Sequence, residues 1–146
     1  MKKTNYCKKA FTLIELLVVI AVIGFLTSVA FMTFSNSREK AVYGRILSDF
    51  ESISKAVQLY RTNSSDSEYP VSATAGNMPT GLNTYMQVWP TPPCTGWKYK
   101  WDNAAVGGSQ VWVQDSANVA KYYYCLSGTC TGGGTGIKTI KTVTCY

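Results

Sequence analysis

Histidine is absent from the 146 residues, and with it go the usual general base at neutral pH, the commonest metal ligand and the central member of most nucleophilic triads. Most hydrolytic schemes are thereby excluded. No residue is nominated as catalytic, and no metal or other cofactor is expected. Charge is sparse as well, at 15% of the chain, with 8 acidic residues against 14 basic ones. The acids are not arranged for acid–base work: Asp66 and Glu68 stand in a Ser-rich turn, and Asp102 and Asp115 at predicted strand ends, where solvated carboxylates are the simpler reading. No CxxC pair occurs, so the usual zinc pattern is missing. A phosphate-cradling loop is missing too, because the run Gly132-Gly133-Gly134-Thr135-Gly136 is followed neither by Lys-Ser/Thr nor by a helix start, and it reads as a flexible hairpin loop.

The net charge of +6 suggests nucleic acid only until its location is considered. Lys2, Lys3, Lys8 and Lys9 lie at the very start, and without residues 1–10 the chain keeps 10 basic and 8 acidic residues, a net +2. That balance describes a solvated surface, and no nucleic-acid partner is expected. Five cysteines become four once the first segment is set aside: Cys94, Cys125, Cys130 and Cys145, with 30, 4 and 14 residues between them. An even number in a small loop-rich domain predicts two disulfides formed in an oxidising compartment. Three pairings are possible, and Cys94–Cys125 with Cys130–Cys145 is the preferred one.

What is present is one long apolar run. Phe11 to Phe34 reads FTLIELLVVIAVIGFLTSVAFMTF, 24 residues with a single charge, where about 20 suffice for a helix to cross the hydrocarbon layer. The four lysines ahead of it place the N-terminus in the cytoplasm and send the remainder outward. A cleaved secretory signal competes, because Ser28-Val29-Ala30 is a small-x-small site, but typical signal cores span only ~7–15 residues. A plain membrane anchor accounts for the length and leaves Glu15 unexplained. An ionised carboxylate in a membrane helix costs about 2.5–3.5 kcal/mol on insertion scales, so Glu15 calls for an opposite charge. It stands one helical turn after Phe11, close to the amino terminus that cleavage between Ala10 and Phe11 would create.

The stretch KKAFTLIELLVVIAVIG resembles the prepilin leader junction of the type IV pilin and type II secretion pseudopilin superfamily. The resemblance implies a basic leader ending at Ala10, cut by a prepilin peptidase, with Phe11 as the N-methylated first residue of the mature chain. It also implies that Glu15 is the assembly acid, neutralised by the amino terminus of an adjacent subunit. The family's usual leader ends in Gly where this chain has Ala10, and many members carry Pro where it has Met32. Gly24 is retained and is a candidate weak point of the helix.

Beyond the run, Val42, Ile46, Phe50, Ile53, Val57 and Tyr60 recur at steps of three and four, which predicts one buried face on a helix reaching Arg61. Asn63-Ser64-Ser65-Asp66 ends it. Residues 63–96, rich in Ser, Thr, Pro, Asn and Gly, read as a connecting loop with at most a short helix near Leu82 to Gln87. The segment RILSDFESISKAVQLYRTNSSDSEYP extends the resemblance to about half the chain, as it is similar to the pilin pattern of an amphipathic helix ending in Tyr before a Tyr-Pro turn. Strand composition then appears at Trp97–Trp101, Gln110–Gln114, Val119–Cys125 and Ile137–Cys145, and an antiparallel meander is the economical fold. Val111 and Val113, or Tyr122 and Tyr124, would face the helix stripe. The aromatics Trp97, Trp101, Trp112 and Tyr122–Tyr124 are read as core and subunit packing in preference to a carbohydrate or base-stacking platform.

The expected architecture is α+β and pilin-like: a long N-terminal helix, hydrophobic and then amphipathic, packed on a small antiparallel sheet with two disulfides. Its divisions are a leader at 1–10, a transmembrane and filament-core helix at 11–34, an amphipathic half at 35–62, a loop at 63–96 and the sheet with a C-terminal loop at 97–146. The resemblance implies a structural filament subunit, not an enzyme. It would sit as a single-pass protein in the cytoplasmic (inner) membrane and then join an extracellular helical homopolymer. Its partners would be identical subunits, prepilin peptidase, a membrane assembly platform and, before assembly, lipid. A pseudopilin of a secretion or DNA-uptake system is the alternative, as is an adhesive module that uses the segment only as an anchor.

Overall fold

The computed structural model describes residues 11–104, 108–126, 134–140 and 142–145. The chain divides between Ser37 and Arg38 into two compact units. A single helix, α1, runs from Leu13 to Asn63, within two residues of the expected limits at each end. Three of its last carbonyls are closed locally: Thr62 Oγ1 donates to Gln58 O at 2.9 Å, Asn63 Nδ2 to Leu59 O at 2.9 Å, and Ser64 N to Tyr60 O at 2.9 Å. These short polar side chains compete with continued helix, which is why it stops there.

From Arg38 onward, the predicted stripe is the core. Ile46, Phe50, Ile53 and Val57 are fully buried, and Val42 and Tyr60 pack at its margins. They meet a four-stranded sheet made of β1 (Lys98–Ala104), β2 (Gly108–Gln114), β3 (Ala120–Cys125) and β4 (Thr135–Gly136), arranged in that order. Period-two alternation along β1 sends Tyr99 and Trp101 inward and leaves Lys98 exposed. Antiparallel pairing sets Tyr99 against Val113 and Trp101 against Val111, so four fully buried side chains face the helix together. Phe50 meets the Tyr99 ring edge-on at 5.5 Å, a favoured aromatic geometry. Tyr122 and Tyr124 are half-buried against the same core. Trp97, Trp101 and Trp112 are buried, in keeping with packing aromatics.

The expected meander holds for β1 to β3 and fails at the last strand. β4 is two residues long and pairs parallel to β3, making the sheet mixed. Ile137–Cys145, expected as a strand, instead forms a short 3-10 helix at Ile137–Thr139 with Ile137 buried, and the described residues after it, 140 and 142–145, are irregular with Val143 buried. The glycine run was expected to be a flexible hairpin loop. Its described end is packed: a Cβ added to Gly134 would lie 3.1 Å from both Lys121 O and a Trp112 ring carbon. Glycine lets the backbone lie close on the sheet there without displacing either neighbour. Gly132 and Gly133 lie outside the described residues.

The connecting loop covers an edge of the sheet. Ala73 N and Gly76 N donate to the β1 carbonyls of Trp101 and Tyr99 at 3.2 and 2.7 Å, satisfying groups that an open edge would present to other chains. The Trp101 indole N–H donates to Pro70 O at 2.8 Å. The short helix expected near Leu82 to Gln87 is a 3-10 turn at Leu82–Thr84, with Leu82 fully buried.

Candidate functional site at the start of the helix

The first turn of α1 is closed by a reciprocal pair. Thr12 Oγ1 accepts from Glu15 N at 3.3 Å, while Thr12 N and Thr12 Oγ1 both donate to Glu15 Oε2, at 2.9 and 2.8 Å. Thr12 precedes the first helical residue and Glu15 is the third within the helix, so the two form a capping box. The reading of Glu15 from sequence missed this role, although Thr-x-x-Glu before an apolar run is a recognisable signature. Among the described residues, Glu15 Oε1 accepts no hydrogen bond. The carboxylate therefore keeps an open acceptor while its other oxygen is held by the cap. Phe11, next to the cap, is exposed, and Ala10 lies outside the described residues.

Leu13–Phe31 is long and apolar enough to cross a membrane, and none of it is buried within the chain. That distinguishes it from the core helix of a soluble protein. Each large apolar side chain left in water forgoes about 1.5–3 kcal/mol, so lipid or other chains must cover the segment. Its hydroxyls are already satisfied: Thr27 Oγ1 donates to Ile23 O and Gly24 O, both at 3.0 Å, and Ser28 Oγ donates to Phe25 O at 2.7 Å. Internal satisfaction of this kind is what a hydrocarbon environment demands. The helix also passes without a break through Gly24 and through Ser28-Val29-Ala30.

In the head, Cys94 and Cys145 form a disulfide, with Cα atoms 5.2 Å apart. This corrects the preferred pairing of Cys94 with Cys125 and of Cys130 with Cys145. The linked residues are 51 positions apart in sequence, and the tail that carries Cys145 is laid beside Cys94 by the burial of Val143, whose N–H donates to Glu39 O at 3.4 Å. No spacing rule could supply that route. Cys130 lies outside the described residues, and the expectation of a second disulfide does too.

None of the acids weighed for acid–base work stands beside a second one in a cleft. Asp66 and Glu68 are exposed. Asp102 pairs with Lys100 at 3.7 Å on β1. Asp115 closes the β2–β3 turn, where its Oδ1 accepts from Ala117 N at 3.0 Å and Val119 N at 2.8 Å. The Val119 N–H holds this carboxyl below its usual range against a smaller opposing effect of burial, with Lys121 at 3.2 Å and the Ala117 N–H adding to the lowering. Among the described residues the one buried acid is Asp49, which accepts from Tyr99 Oη at 2.8 Å and from Arg45 Nε at 3.2 Å. Burial, followed by the Asp49 charge and hydrogen bond, pushes the Tyr99 phenol above its usual range, so it remains a donor. Among the described residues no group of three or more acidic or cysteine side chains is placed to hold a metal.

Compared with curated proteins and with solved structures, the chain finds no significant match. The family model for the prokaryotic N-terminal methylation motif matches residues 5–31, which take in Lys8 and Lys9 of the basic segment, the cap at Thr12 and Glu15, and the apolar part of the helix. That motif belongs to a structural, pilin-like class of protein and implies peptidase processing and assembly. The chain therefore carries the leader signature of the type IV pilin and pseudopilin superfamily.

Proposed function

We propose that this protein is the structural subunit of a type IV pilus-like filament. Prepilin peptidase cuts between Ala10 and Phe11, the new terminus on Phe11 is N-methylated, and the mature chain waits in the cytoplasmic membrane, anchored by its apolar helix. An assembly platform then draws subunits into a helical homopolymer in which those helices cover one another and the heads face outward. The observation that carries this reading is the single carboxylate at the start of a wholly exposed apolar helix, with one oxygen held by Thr12 and the other open. In a low-dielectric surround, that open oxygen is best satisfied by the charged amine of a neighbouring subunit. The divisions expected from the sequence serve this role: leader at 1–10, core helix at 11–34, amphipathic helix at 35–62, loop at 63–96 and sheet with C-terminal loop at 97–146. With Cys94 and Cys145 joined, Cys125 and Cys130 are left to form the second disulfide of the exported head.

The test is intact-mass analysis with N-terminal fragmentation of the mature chain, taken from membranes and from sheared cell-surface material. A chain beginning at N-methylated Phe11 in both fractions is the expected result. A start at Phe31 would make this an ordinary secreted protein, and an intact Met1 would make it a simple anchor. Mature chain confined to the membrane fraction, with none in sheared material, would reassign it as a pseudopilin.

A further inference from the structure

Arg61, Gln58 and Thr62 from the last turn of α1, Ser67 and Tyr69 from the loop after it, and Leu126 beyond β3 line an open cavity of about 550 Å³. Among the described residues Arg61 is the one charged side chain lining it. The guanidinium is fixed in three ways: Nε donates to Ser67 O at 3.0 Å, NH1 donates to Tyr69 Oη at 3.1 Å, and the group stacks on the Tyr69 ring 4.8 Å from its centre. Ser67 offers that carbonyl from a left-handed backbone conformation, φ 54°, which a non-glycine residue adopts at a cost. Tyr69 is braced from elsewhere by Trp101, with ring centres 5.9 Å apart.

An arginine held this firmly normally serves a carboxylate of its own chain, and this one does not. Among the described residues the ion pairs involve Arg45, Lys100 and Lys121, and Asp66 and Glu68, which flank Ser67 in sequence, do not line the cavity. Nor does Arg61 cap the helix, since its hydrogen bonds go to Ser67 O and Tyr69 Oη in the loop beyond the helix end. A guanidinium has five N–H groups, and two are used here. The remaining N–H groups of NH1 and NH2 form a preoriented fork suited to a carboxylate. Around it stand neutral hydrogen-bonding groups: the Gln58 amide oxygen, the Thr62 and Ser67 hydroxyls, and Tyr69 Oη, which has accepted from Arg61 and keeps its own proton to donate. Leu126 adds one apolar edge. The volume lies within the range of small-ligand sites.

We infer that this cavity is a binding site for an acidic sugar, with the Arg61 fork taking the carboxylate and the polar rim taking the hydroxyls. All of its residues lie after Ser37, so the site does not depend on how the N-terminal segment is processed. The test uses full-length chain in detergent micelles, followed by two-dimensional proton–nitrogen NMR including the Arg61 Nε–H signal. Sodium glucuronate is titrated at constant ionic strength, with glucose and sodium acetate as comparison probes. Saturable shifts at Arg61, Thr62, Ser67 and Tyr69 are expected for glucuronate, with a dissociation constant of about 1 mM, as suits one charge-assisted fork in an exposed site. Arg61→Gln should weaken binding at least roughly tenfold while the rest of the spectrum stays dispersed. If that variant unfolds, Arg61→Lys retains the charge without the fork and should also bind more weakly. Shifts that do not saturate, or binding unchanged in the variant that folds, would overturn the site. Equal affinity for acetate, or equal affinity for glucose, would overturn its assignment to an acidic sugar.

Discussion

Asp49 is the residue on which the head's polar energetics turn. It is buried between helix and sheet, and among the described residues its carboxylate is the one hydrogen-bond partner of the Tyr99 hydroxyl. Replacing it with Ala strands a buried donor, which costs about 1–3 kcal/mol. Asp49→Asn keeps an acceptor and should lose less; urea unfolding of the two variants would check the order. Asp115 contributes to the response to acid. Its folded-state pKa lies below the ordinary value of 3.8, so the unfolded chain takes up the proton first. The stabilisation is complete above the unfolded value and disappears as pH falls through the lower folded one. Asp115→Asn should therefore flatten the dependence of the urea midpoint on pH below about pH 4. Neither role could be read from sequence. Asp49 carries no signal in the sequence, and Asp115 reads there only as a strand end, because each is defined by groups that only the folded chain brings to it.

At the scale of the element, α1 is the most legible part of the molecule. Its apolar run, its buried stripe and its polar stop are properties of periodicity and composition, and the helix forms where they indicate. The capping box gives Glu15 a local role beside the proposed pairing with a neighbour's amine, because the same side chain closes its own helix. Glu15→Val should leave membrane insertion intact or improved, since the insertion cost of the charge is removed. It should also fray the first turn and abolish filaments, as scored by fractionation and electron microscopy of sheared material. Normal filaments from that variant would sink the charge-pair account. The strands were less legible. β1 to β3 follow alternation and turn chemistry, whereas β4 is held in place by contact with β3, and two residues carry no period at all.

The whole head is closed by its tail. The Cys94–Cys145 bridge joins the connecting loop to the last described residue and spans 51 positions, so it removes much freedom from the unfolded chain. Removing it with Cys94→Ala and Cys145→Ala should cost about 2–5 kcal/mol, seen as a lowered urea midpoint for the oxidised protein. The anchor should be unaffected, since the double variant must still partition with membranes. A head of this size has a thin core, and the staple offsets it.

Composition and periodicity by themselves determined the plan of the chain: an α+β protein with an apolar helix long enough to cross a membrane, an amphipathic continuation with one buried face, an acid near the start of that helix and no histidine chemistry. These are local properties, written in runs and spacings of a few residues. Tertiary structure alone decided that Cys94 joins Cys145, that β4 runs parallel to β3, that Asp49 meets Tyr99, and that Arg61 is held over Tyr69 with no carboxylate partner among the described residues. Each of those outcomes depends on two segments far apart in sequence arriving at the same place. Many partners are compatible with any one segment, and the burial of the whole core selects among them.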